Sequence, residues 1–282
     1  MKPWHTYCAA LALAAVLGAP SVPSGGRADG ASEPPPRELE SCVRCHSDPD
    51  FLVTHPKLYE YYRDWERSIH GQEEVSCFDC HGGDPEVSDA RAAHAEFAGE
   101  KKTGSAVGFS SVHETCGDCH DEILAAYRES EHYAKLKQKK GKRHGPTCVT
   151  CHRSMNTQTL DVTTVEAACA RCHNEETKIA PEVPQDARAT LNKFLSIDRF
   201  HRYVAARMDP AEAGLFFRQI DGRVASLSVL WHTFDLERIE GETQAVLDVM
   251  RRKRDEIRKQ RAAAASPSAP QPQEAQAATD ER

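Results

Sequence analysis

Ten of the chain's eleven cysteines stand in five C-x-x-C pairs, and a histidine follows every pair directly. The five read Cys42-Val-Arg-Cys45-His46, Cys77-Phe-Asp-Cys80-His81, Cys116-Gly-Asp-Cys119-His120, Cys148-Val-Thr-Cys151-His152 and Cys169-Ala-Arg-Cys172-His173. Only Cys8 falls outside the pattern. Histidine is about one residue in twenty here, so five such coincidences have odds on the order of one in a few million. Structural zinc with four thiolates takes C-x-x-C pairs two at a time, and five is odd. It also gives histidine no reason to follow each pair. Thioredoxin-like redox pairs need a βαβ setting that the sequence lacks. Disulfides, the usual use of cysteine in an exported chain, do not explain the histidines.

Covalent haem attachment does explain them. Two thiols three positions apart sit on one helical turn and reach the two vinyl groups of a single porphyrin. The next residue turns its imidazole to the iron. Cys42, Cys45, Cys77, Cys80, Cys116, Cys119, Cys148, Cys151, Cys169 and Cys172 are therefore read as the thioether residues. His46, His81, His120, His152 and His173 are read as proximal iron ligands, and the implied cofactors are five haem c groups. The motifs crowd into residues 42 to 173, so the haems must pack closely. The modest apolar fraction, 39% with 7% aromatic, fits a core built partly from cofactor. The net charge of −7 gives no basis for nucleic-acid binding.

Eight histidines outside the motifs and His5 can supply distal ligands: His55, His70, His94, His113, His132, His144, His201 and His232. His70 and His132 lead because they occupy the same place in an internal repeat. Trp65-Glu-Arg-Ser68-Ile-His70 precedes the second motif and Tyr127-Arg-Glu-Ser130-Glu-His132 the fourth. If His120 and His132 shared a helix they would be about 18 Å apart. Two ligands of one iron are about 4 Å apart. His132 is therefore expected to close a haem other than the third. His232, in Trp231-His232-Thr233-Phe234, and His94, in an Ala-rich stretch, come next, followed by His113. Met155, just after the fourth motif, is either an axial ligand or a gap-filling side chain.

Residues 1–28 read as an export signal: Lys2, an apolar run from Tyr7 to Ala19, and small residues at Gly26 and Ala28. A flexible leader follows at 29–40, then a five-haem domain at 41–180. A C-terminal helical segment packing on it is expected at 181–261, and a disordered tail at 262–282. Helices are expected over Gln185–Arg207 and, as one long element, Val224–Arg261, with Asp209-Pro210 opening a helix between them. The fold class is mainly α with little regular sheet, organised around packed haems. Arg251 to Arg261 form a basic helix end that either complements the helix dipole or docks an acidic partner.

These residues resemble the multihaem cytochromes c of the doubled C-x-x-C-H type. The resemblance covers residues 40 to 175 and rests on Ser68-Ile-His70 leading to Cys77–Pro85, and on Ser130-Glu-His132 leading to Pro146–His152. It implies distal ligation by His70 and His132. Relatives often carry Gly-Ser-His after the fourth motif, where this chain has Arg153-Ser154-Met155, which leaves that haem's sixth ligand open. The implied function is extracytoplasmic electron transfer between redox partners, such as a membrane quinol-oxidising complex or other cytochromes, with no membrane span once the signal is cleaved. The alternatives are a reductase or oxidase of a small nitrogen or sulfur compound, with one open haem, and a haem-based sensor or scaffold. The C-x-x-C-Lys motif of pentahaem nitrite reductases is missing.

Overall fold

The computed structural model describes residues 41–95, 106–138 and 145–265. The segments expected to be an export signal (1–28) and a leader (29–40), His144 and most of the expected tail lie outside them. Helices and turns make up the described residues, with no strand, as the fold class anticipates. No helix among them is long and apolar enough to cross a membrane.

The haem-motif region is a string of short helices. Each C-x-x-C-H motif lies in or at the end of one: Ser41–His46, Cys77–His81, Val112–Gly117, Cys148–His152 and Val162–Ala170. The second and fourth are single turns with matching caps. Ser76 and Thr147 are the N-caps, boxed by Asp79 and Thr150 respectively. A capping box satisfies first-turn N–H groups that a helix this short has no other way to pair. Both turns end on a residue with positive φ, Gly82 at 70° and Arg153 at 68°.

The internal repeat is structural. Ser68 and Ser130 each cap a short helix, accepting from Gly71 N at 3.0 Å and Tyr133 N at 3.1 Å. Each hydroxyl also donates back to the aromatic residue three positions earlier, to Trp65 O at 2.7 Å and Tyr127 O at 2.6 Å. The aromatic side chains then reach forward. Trp65 Nε1 donates to Val75 O at 3.2 Å, and Tyr127 Oη to Pro146 O at 2.6 Å. Val75 and Pro146 stand at the same offset before Cys77 and Cys148. Each repeat unit thus ties its histidine to the haem motif that follows. The Ser130 cap also separates Asp121–Arg128 from Glu131–Leu136, so His120 and His132 are not on one helix.

The C-terminal segment is three long helices, Val183–Ala205, Pro210–Leu230 and Leu236–Ala265. Asp209 caps the second, with Pro210 at its first position. The three share a core of Ile197, Val204, Phe217, Ile220, Val224, Leu227, Val246, Leu247, Met250 and Ile257. A second cluster joins Val165, behind the fifth motif, to Ala187 and Leu191, with Trp231 and Leu236 packed against it. One expectation is corrected. The apolar pattern from Val224 to Arg261 is not one helix. It breaks at the 3₁₀ turn Trp231–Thr233, where Phe234 adopts a left-handed conformation (φ 59°) and Asp235 Oδ1 accepts from Arg238 N at 3.1 Å. Periodicity of apolar residues continues through such a break because both helices pack on the same core, so pattern alone does not reveal it. At the far end the helix continues to Ala265, a few residues into the stretch assigned to the tail.

Candidate haem sites

All ten motif cysteines are described and none is in a disulfide. Among the described residues no group of three or more His, Cys, Asp or Glu side chains is placed to hold a bare metal ion. The motifs approach one another in chain order. Ser41 N donates to Pro85 O at 3.0 Å, joining the first motif to the turn behind the second. The Cys116 and Cys148 thiols are within hydrogen-bonding reach, and this neighbour pushes the Cys116 pKa up. Arg171 donates to Thr150 O, joining the fifth motif to the fourth.

Four imidazole pairs are the central geometry. His46 faces His94 with ring centres 6.2 Å apart, and His70 faces His120 at 6.2 Å. His132 faces His173 at 6.0 Å, and His152 faces His232 at 6.1 Å. Two iron–nitrogen bonds of about 2 Å, plus about 1.1 Å from each nitrogen to its ring centre, give about 6.2 Å for two imidazoles on one iron. Each pair joins one motif histidine to one histidine from elsewhere. The residues present therefore fit haem c held by two thioethers and two imidazoles.

The second nitrogens of several rings support this. His94 Nδ1 lies 2.6 Å from Ala90 O and His232 Nδ1 3.0 Å from Ser228 O. His152 Nδ1 lies 2.9 Å from Gln158 O and His173 Nδ1 3.0 Å from Ile179 O. A carbonyl only accepts, so Nδ1 carries the proton in each ring. Nε2 is left with its lone pair, the tautomer an iron ligand needs. Burial holds the His46, His70, His132 and His232 pKa values below 6.5. The facing imidazole adds to this in each case; for His232 the Ser228 hydrogen bond opposes it. Neutral rings are the binding form.

The pairing is interlocked. The His46–His94 and His70–His120 pairs both straddle the second motif in sequence; His132–His173 straddles the fourth and His152–His232 the fifth. His232 comes from the cysteine-free C-terminal segment, so that segment is joined to the fourth motif by more than apolar packing. Met155, weighed as a ligand for that motif, leaves this place to His232.

The remaining candidates lie elsewhere. His113 is buried beside Tyr127 and Tyr133, at 6.1 and 5.6 Å between ring centres, with Nε2 3.2 Å from Glu114 Oε1. His201 belongs to the three-helix core, its ring 3.8 Å from that of Phe217. His55 sits on Phe51 at 5.0 Å, at the break between Pro49–Thr54 and Pro56–Glu66. His81 is half-buried, and burial lowers its pKa. When protonated, it also helps to lower the His46 pKa. Phe234 was not a sequence candidate, yet its ring stands 4.3 Å from that of His132 and 6.4 Å from that of His232.

A family model described as cytochrome c7 and related cytochrome c matches residues 98–174, the span of the third, fourth and fifth motifs. No solved structure matches the chain. The match covers part of the chain and agrees with the C-x-x-C-H chemistry; the two together support a multihaem c-type cytochrome, with covalently bound haem c and a role in electron transfer.

Proposed function

We propose that the chain is an exported, periplasmic pentahaem cytochrome that relays electrons between redox partner proteins. The observation that carries this reading is the set of four histidine pairs at 6.0 to 6.2 Å between ring centres. Haem iron, when bound, supplies one-electron exchange. An iron with two imidazoles offers no face to a substrate and changes its shell little between oxidation states. The protein's part is to hold the rings in place, keep them neutral and bring the attachment points together. Ser68 and Ser130 set the positions of His70 and His132. The carbonyls of Ala90, Ser228, Gln158 and Ile179 fix the tautomers.

Proximal ligation by His81 completes five haems, on the same C-x-x-C-H chemistry as the other four. Production in a host that matures c-type cytochromes, followed by carbon monoxide addition to the reduced protein, tests the reading. Low-spin spectra without a carbon monoxide shift at the first, third, fourth and fifth irons are expected. A shift at any of these four would replace the relay reading with that of a small-molecule reductase or oxidase.

A further inference from the structure

Phe234 is a bulky residue in a conformation that favours glycine or asparagine, with φ 59° and ψ 18°. Left-handed backbone is unfavourable for a residue with a Cβ, which there crowds the following carbonyl oxygen. The side chain returns little to the apolar core, since it is 39% exposed. Non-glycine strain of this kind concentrates at functional positions. The ring lies edge-on to two imidazoles. It is 4.3 Å from His132 with planes at 63°, and 6.4 Å from His232 with planes at 75°. These two histidines face different motifs, His132 the fifth and His232 the fourth. Edge-to-face contact at about 4.5 to 7 Å is a favourable arrangement for aromatic rings, and the closer of the two lies slightly short of that range's lower bound. The backbone reversal is what aims the ring: Phe234 N donates to Trp231 O at 3.2 Å, closing the turn that carries His232.

We propose that Phe234 is a positioning residue shared by two haems: its ring sets the imidazole planes of His132 and His232, the distal ligands of the fifth and fourth irons. The inference rests on the bis-histidine reading above. One residue of the C-terminal segment thereby couples the ligand it carries next door to a ligand supplied by the haem region. The angle between the two imidazole planes of a low-spin ferric haem governs its g values. The structure places these angles at 55° for His132–His173 and 24° for His152–His232.

Electron paramagnetic resonance of the oxidised holoprotein reads the effect. Phe234→Gly relieves the backbone and removes the ring, whereas Phe234→Leu keeps apolar bulk without an aromatic edge. Both variants are expected to retain five haems, with the largest g value shifted at the fourth and fifth irons and unchanged at the first and third. Phe234→Tyr is expected to keep the parent spectrum. Parent-like spectra for both Phe234→Gly and Phe234→Leu would overturn the proposal. So would failure of Phe234→Gly to mature, because the ring would then be supporting the fold. Failure of the bis-histidine reading is separately visible, as high-spin signals at these irons in the unsubstituted protein.

Discussion

His132 and His173 face each other at 6.0 Å between ring centres, although the whole fourth haem motif lies between them in the chain. His70 and His120 repeat the relationship across the second motif. The repeated aromatic-x-x-Ser-x-His element therefore sets its histidine opposite the histidine of the motif after next, while its aromatic side chain anchors the nearer motif through Val75 or Pro146. Interleaving of this kind links neighbouring motifs twice, by a hydrogen bond and by a pair of facing imidazoles.

Loss of His232, which faces His152, is expected to open the fourth iron. His232→Ala is expected to leave all five haems attached, since thioethers hold them, and to make about one fifth of the haem reactive to carbon monoxide. Met155→Leu is expected to leave the spectrum unchanged. Carbon monoxide difference spectra of the two reduced variants check both statements.

The serine caps contribute to stability as well as ligand placement. Ser130 is 3% exposed, accepts from Tyr133 N and donates to Tyr127 O. Ser130→Ala removes both bonds and is expected to cost about 1–2 kcal/mol. Ser68→Ala is expected to cost a similar amount. The double variant should show nearly additive losses, because the two serines belong to separate repeat units and share no partner. Denaturant unfolding followed by far-ultraviolet circular dichroism gives the numbers.

Arg153 stores strain. Its φ of 68° and ψ of 175° lie in a region that essentially only glycine occupies, and Gly82 has the equivalent place after the second motif. Arg153→Gly is expected to raise stability by about 1–3 kcal/mol. Gly82→Ala should lower it by a comparable amount. The shift of the denaturant midpoint, in opposite directions for the two variants, is the measurement.

His201 makes stability depend on pH. Burial lowers its pKa below 6.5 in the folded chain, with Asp221 and Asp198 opposing. The folded value is lower than the unfolded one, so the unfolded chain takes up the proton first as pH falls. Stability from this group is full above about pH 6.5 and declines below it. Between about pH 7.5 and about pH 5, His201→Gln is expected to lose less of its melting temperature than the parent. Equal losses in the two proteins would contradict the assignment.

Much of this architecture was legible before any coordinates. The C-x-x-C-H spacing pointed to haem c and put forward one histidine per motif as its proximal ligand, because thioether and imidazole chemistry is local to one helical turn. The repeat singled out His70 and His132, and Ser68 and Ser130 prove to be the caps that hold them. Helical character and the boundary near Asp209-Pro210 also followed from local signals. The helix break at Phe234 did not: Thr233 and Asp235 are cap formers, but the apolar period runs straight through them.

Which histidine faces which was decided by tertiary structure alone. The chain contains more spare imidazoles than C-x-x-C-H motifs, and nothing in residue order joins His94 to His46 or His232 to His152. Those pairs form where distant segments pack, so they depend on the whole arrangement of caps, turns and helix contacts. Covalent haem attachment, by contrast, needs only five residues in a row, and that is why the sequence by itself determined it.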